Sequence, residues 1–198
     1  MDFLRRLKPK NTKVYFSRSE FQAKGFPVNP NALESYLLAN MVYNILNPIR
    51  VVSGVPIYIN DCYRDMVKYR SLIKNGYNPS PTSDHFWGTH VETIRIKDKN
   101  KYGSKYTFSM GAIDFKVKNL ELMVGIFNTI RELVQLNNIK VGQCILESKY
   151  EKNIVVSRWI HISNPLELIY NEEFIKRMNI SKGQFLVSQD NGKTYKAV

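Results

Sequence analysis

Between Asn31 and Asn47 the apolar residues Leu33, Leu37, Leu38, Met41, Val42, Ile45 and Leu46 recur at the spacing of one helix face. Asn31 reads as the N-cap of this helix, and Asn47-Pro48 as its end or a kink. A second helix is expected over 120–136, with Leu122, Met123, Ile126, Ile130, Leu133 and Val134 on its apolar face. Short helices are expected near 66–73 and 171–178. Phe16 to Phe21 reads as a short strand or turn leading into a cap, because Ser17 precedes Glu20 at capping-box spacing. The segments 55–59, 112–117, 142–147 and 155–162 read as strands, the last two joined by a charged turn over Ser148–Lys152. Thr93–Lys97 and Tyr106–Met110 flank the turn-rich Asp98–Gly103 and read as a hairpin. Gln184–Ser188 and Lys193–Val198 flank Asp190-Asn191-Gly192, a strong hairpin turn. The sum is an α+β domain, with helices packed on a mostly antiparallel sheet.

The chain has 198 residues, 43% of them hydrophobic, enough for one core. We expect a single domain over 1–198, with a loose basic arm at 1–13, an inserted hairpin at 89–110 and a C-terminal hairpin at 179–198. Disordered and low-complexity classes are excluded by the ordinary balance of charged, Gly and Pro residues. No stretch reaches the roughly 20 apolar residues of a membrane helix. No apolar run follows the basic start, so a standard secretory signal is not expected. A net charge of +12 predicts attraction to polyanions, whether nucleic acid, anionic lipid or a cell-wall polymer. Cys62 and Cys144 form neither a disulfide framework nor a C-x-x-C pair, and are expected as small buried residues.

Of three histidines, His85 lies in Ser83-Asp84-His85-Phe86-Trp87-Gly88 and His161 in Trp159-Ile160-His161-Ile162-Ser163. Asp114 interrupts the apolar strand Gly111-Ala112-Ile113-Asp114-Phe115. A carboxylate there is costly unless it is paired, hydrogen-bonded or bound to a metal. Two His and one Asp, with a fourth position left to water, are the coordination plan of a catalytic zinc. The bland alternative is two structural histidines and an Asp114–lysine pair.

Several segments together resemble the zinc D-Ala-D-Ala carboxypeptidase family of metallopeptidases, whose patterns are S-x-H-x-x-G-x-A-x-D and W-[IV]-H-[IV]-S. Ser83, His85 and Gly88 match the first half of one pattern, Ala112 and Asp114 its second half, and Trp159–Ser163 the other. Phe16–Phe21 is similar to the family's entry motif, Leu46–Arg50 to its LxPLR segment, and Tyr63-Arg64 to its S-G-Y-R. The resemblance runs in order from Phe16 to Ser163. It implies the hedgehog/D-Ala-D-Ala peptidase fold, and Zn2+ held by His85, Asp114 and His161. It also implies substrate binding by Arg64 and Ser83, and general base catalysis by Glu147. The implied substrate is peptidoglycan, cut at a stem-peptide bond involving a D-amino acid by a carboxypeptidase or endopeptidase. A protein without a signal that acts on the wall is expected to stay cytoplasmic until released, or to be virion-associated, as a phage lytic protein is.

The chain departs from the family in three places. His85 and Asp114 are 29 residues apart, far beyond the family spacing, because 22 residues separate Gly88 from Gly111. Since they read as a hairpin, whose ends lie close together, the two ligands are expected to stay adjacent. The position three before His161, an acid in many members, is Arg158, which cannot act as a base. Glu147 on the preceding strand is expected to lie across from the region just before Trp159; the alternative is a surface pair with Arg158. Cys62 stands where the family has Gly. Among the neighbours, Tyr63 and Trp159 are expected to pack near the site, Asp84 to support His85, and His90 to be exposed on the hairpin.

Two competing readings remain. One is a non-catalytic zinc-binding or wall-binding structural protein, such as a virion component. The other is a nucleic-acid binder, opposed by dispersed basic residues and the lack of a recognised motif.

Overall fold

The long apolar helix forms, and it runs past its expected end. The computed structural model describes residues 13–77, 79, 83–88, 91–94, 105–177, 184–190 and 194–198. Helix α1 is Arg18–Gln22, so Phe16–Phe21 is not a strand; Ser17 caps it and closes a capping box with Glu20. Helix α2 spans Ala32–Asn40, where the Asn31 side-chain oxygen accepts a hydrogen bond from the Glu34 N–H and the Glu34 carboxylate accepts one from the Asn31 N–H. It continues as a π-helical stretch, Met41–Leu46, into α3, Asn47–Ser53. Asn47-Pro48 therefore neither ends nor breaks the helix. Within an α-helix the proline ring collides with the carbonyl four residues back. Here the turn widens, the Asn47 N–H reaches the Val42 carbonyl, and Pro48 sits in the first turn of α3, where it needs no donor. Gly54, in the left-handed conformation, closes α3.

The remaining elements are β1 (Tyr58–Asp61), α4 (Met66–Lys74), β2 (Val91–Ile94), β3 (Lys105–Phe108), β4 (Ala112–Lys116) and α5 (Leu122–Gln135). Then come β5 (Gln143–Glu151), β6 (Ile154–Ser163), α6 (Glu172–Arg177), β7 (Gln184–Ser188) and β8 (Lys196–Ala197). Six strands form one sheet in the order β1-β4-β6-β5-β7-β8. Every pair is antiparallel except β5–β7, so the fold is α+β with a mixed, mostly antiparallel sheet. β2 and β3 pair antiparallel as a separate two-stranded sheet, each starting before the strands expected over Thr93–Lys97 and Tyr106–Met110. Residues 1–12 of the expected basic arm, His90, the turn 98–103 and Asn191-Gly192 lie outside the described residues.

The hairpin β5–β6 is longer than expected. Its turn is Lys152-Asn153, both left-handed (φ 49° and 65°), rather than Ser148–Lys152, which is mostly strand. One face of the sheet carries Ile113, Phe115, Cys144, Leu146, Ile160 and Ile162, all buried in the core shared with the helices. Because side chains alternate, the opposite face carries Asp114, His161, Ile145, Glu147 and Trp159. Asn164 ties the layers together. Its amide donates to the Leu37 and Met110 carbonyls, and its oxygen accepts from Asn40. Among the described residues no helix is long and apolar enough to cross a membrane.

Candidate metal and catalytic site

The sheet register builds the site. Asp114 on β4 and His161 on β6 are direct cross-strand partners, so both project from the same face. Asp114 Oδ1 lies 2.9 Å from His161 Nδ1. His85 comes from a separate element, the single 3-10 turn Asp84–Phe86, capped by Ser83. Its Nε2 lies 3.3 Å from the same Asp114 oxygen. One ligand atom from each of His85, Asp114 and His161 lies within 4.8 Å of the other two. The two imidazoles meet edge to face, with centroids 5.0 Å apart.

His85 and Asp114 are therefore brought together although 22 residues separate Gly88 from Gly111. Both junctions use left-handed backbone: Trp87 and Gly88 on the way out, Gly111 on the way back. Gly111 is also the close approach of the site. A Cβ there would stand 2.5 Å from the Trp87 ring. Asp84 anchors the return, accepting hydrogen bonds from the Met110 N–H at its carboxylate and from the Ser109 hydroxyl at its carbonyl. Contrary to expectation, it does not hold the His85 ring.

The Cys62 carbonyl has that role. It lies 2.8 Å from His85 Nδ1 and accepts a 2.9 Å hydrogen bond from the Trp87 indole. A carbonyl only accepts, so Nδ1 carries a proton there, and Nε2 is the ring atom turned toward Asp114. Such a backbone contact to the outer nitrogen is the usual orienting device of a ligating histidine. No feature of the sequence marked a backbone carbonyl for this role. The Cys62 thiol itself is buried, and burial pushes its pKa up, so it is a packing group.

Burial alone would raise the Asp114 carboxyl. The attraction of His85 and hydrogen bonds from His161 and His85 outweigh it and hold the carboxyl well below the usual range. For His161 burial again opposes the charged form, but the hydrogen bond and charge of Asp114, then Glu147 and Asp84, raise its pKa. The alternative of an Asp114–lysine pair does not hold; Lys68 pairs instead with Asp61.

Glu147 is the cross-strand partner of Trp159 itself, two positions from His161 on the same face. Arg158 faces the other way, donating to the Ser148 hydroxyl at 3.3 Å, so it is not the partner of Glu147. Burial first, and then the charge of Asp114, push the Glu147 carboxyl up to about 7; His161, a Trp159 hydrogen bond and His85 act against this.

Arg64 and Ser83 adjoin each other beside His85. The Arg64 guanidinium donates to Ser83 Oγ at 3.2 Å and lies 3.6 Å from Asp61, while its backbone N–H donates to the His85 carbonyl. Among the described residues its Nε is buried without a hydrogen-bond partner, so part of the guanidinium is left unsaturated there. Tyr63 packs against Phe26, with its hydroxyl donating to the buried Glu34.

The donor set, two imidazoles and one carboxylate, suits a borderline divalent cation, and three protein ligands leave a position open. A basic carboxyl near seven and an unsaturated guanidinium flank it. Comparison with protein-family models, with curated proteins and with solved structures gave no match to this chain.

Proposed function

We propose that this protein is a zinc-dependent peptidase of the D-Ala-D-Ala carboxypeptidase type, with the hedgehog/D-Ala-D-Ala peptidase fold, acting on peptidoglycan stem peptides. The observation that carries the reading is the convergence of His85, Asp114 and His161, with Glu147 on the same sheet face. His85 Nε2, an Asp114 oxygen and His161 Nδ1 are the atoms that would hold the ion. Zinc, when bound, supplies Lewis acidity, polarising the scissile carbonyl and acidifying water.

The chain's own residues do the rest. Glu147 takes a proton from the attacking water and returns it to the leaving amine. A carboxyl with a pKa of about 7 is suited to both transfers at neutral pH. Arg64, oriented by Asp61 and Ser83, grips the substrate's terminal carboxylate with its fork. The net charge of +12 favours approach to a wall rich in carboxylates and phosphates. An enzyme of this kind acts on the wall after release from the cell or as part of a virion.

The test is metal analysis of the purified protein beside Asp114→Ala, followed by digestion of muropeptides. About one zinc per chain, lost in the variant, and release of a D-amino acid or cleavage of the stem support the reading. Zinc retained without cleavage of any muropeptide would overturn it in favour of a structural zinc protein.

A further inference from the structure

We propose that the C-terminal hairpin forms the far wall of this site, and that the Tyr195 hydroxyl binds the stem peptide two to three residues from the scissile bond. The substrate is then an extended stem peptide rather than a free D-Ala-D-Ala dipeptide. The inference rests on the peptidase reading above.

β7 runs parallel to β5, and its last pair sets Ser188 beside Glu147. β8 runs back along β7, pairing Leu186 with Ala197 and Val187 with Lys196. Paired residues share a face, so Trp159, Glu147 and Ser188 form one row across three strands on the site face. Tyr195 comes just before Lys196, the partner of Val187, so one further step of that register would bring it to Ser188 at the end of this row.

Ser188, between the acid and the tyrosine, is small and fully buried. Its hydroxyl turns to Asp190, which also accepts from the Thr194 backbone and hydroxyl and so fixes the segment just before Tyr195. Tyr195 is 46% exposed, open to a ligand. It lies close enough to feel the negative charges of Glu147, Asp114 and Asp190, which, after burial, help push its phenol up to about 12. The hydroxyl therefore stays a donor at any pH at which the protein works.

Position in the sheet sets the substrate length. Arg64 follows β1 at one edge, Tyr195 precedes β8 at the other, and Asp114 and His161 of the triad lie between them on β4 and β6. From β6 to β8 is three strand spacings, roughly 14 Å. A phenol reaching back over Ser188 would cover part of that distance. What remains is two to three extended residues at about 3.3 Å each. A peptide held by its carboxylate at Arg64 and cut at the triad presents a carbonyl to Tyr195 only if it extends that far. A dipeptide does not.

The test uses the full-length, zinc-loaded protein in an inactive Glu147→Gln background. Binding of a synthetic stem pentapeptide and of D-Ala-D-Ala is measured by calorimetry, with and without Tyr195→Phe. The hydrogen bond predicts about fivefold weaker pentapeptide binding in the Phe variant, with dipeptide binding unchanged. In the Glu147 protein the same split is expected in kcat/KM, with zinc content equal. Equal pentapeptide binding with and without the hydroxyl, or an equal loss for both peptides, would overturn the role of Tyr195 while leaving the peptidase reading standing. Failure of the zinc-loaded protein to bind or cut either peptide would overturn the peptidase reading and this one with it.

Discussion

Glu147 stands directly across from Trp159 on the β5–β6 hairpin, and the Trp159 side chain hydrogen-bonds its carboxyl. Alternation along β6 brings His161 to the same face. Burial and Asp114 push the carboxyl up to about 7.

Glu147→Gln is expected to lower kcat on a muropeptide by about 10²- to 10⁴-fold, with zinc content unchanged. Arg158→Ala, on the opposite face, should change kcat little. A fall in both variants alike would mean that the hairpin as a whole, and not the acid, had been disturbed.

The raised pKa has a sign that can be checked in the metal-free protein. The folded value of about 7 lies above the ordinary 4.5, so the ionised carboxylate disfavours folding. The Glu147 contribution is therefore most favourable below pH 4.5 and is lost as pH rises through about 7. Carboxyl carbon resonances should show one acid titrating near 7, absent in Glu147→Gln. In the zinc-loaded protein the cation pulls this titration lower, so the acid limb of the rate profile should fall at or below that pH.

Gly111→Ala should be costly. Its φ of 80° is left-handed, and the new methyl would meet the fully buried Trp87 ring at 2.5 Å. Left-handed strain of about 1–2 kcal/mol and overpacking of about 1–3 kcal/mol add to a loss of roughly 2–5 kcal/mol by denaturant titration. Trp87 shares the Cys62 carbonyl with His85, so zinc affinity should fall as well. Gly76→Ala, also left-handed but with open space around it, isolates the strain alone and should leave zinc affinity intact.

Much of this was readable from residue pattern, and the failures have physical reasons. The helix from Leu33 to Leu46 was plain because apolar residues recur along it at helical spacing, although the structure buries it nearly all round, Glu34, Ser35 and Asn40 included. The union of His85 with Asp114 followed from the nature of a hairpin, whose ends meet whatever its length. The passage through Pro48 was not readable, because a π-turn is set by the carbonyl geometry before the proline. The Lys152-Asn153 turn was masked by the charges preceding it, which sit on strand. The parallel β5–β7 pair was missed because a hairpin turn after β7 suggested only antiparallel neighbours. That same pair brings Tyr195 to the site, so the one topological surprise is also the one that sets substrate length in our reading.

The Asp114–His161 contact predicts proton release on metal uptake. In the metal-free protein the Asp114 carboxyl is held below its ordinary 3.8 and His161 is raised above 6.5. The Asp114 contribution to stability is present above pH 3.8 and lost as pH falls below it; that of His161 is present below 6.5 and lost as pH rises through its raised value. Between those limits the pair is ionised and the metal-free protein gains most from it. Zinc requires the neutral imidazole, so binding must expel the His161 proton; in a Glu147→Gln background, where the carboxyl of pKa about 7 adds none, about one proton per chain is expected near pH 6. Calorimetry in two buffers of different ionisation enthalpy measures that number. Asp114→Asn keeps the shape but removes the charge that raises His161. It should bind zinc at least about tenfold more weakly and release a smaller fraction of a proton at the same pH. Zinc uptake by the unaltered protein with no proton released would mean that His161 is neutral without metal, and that Asp114 does not govern its charge.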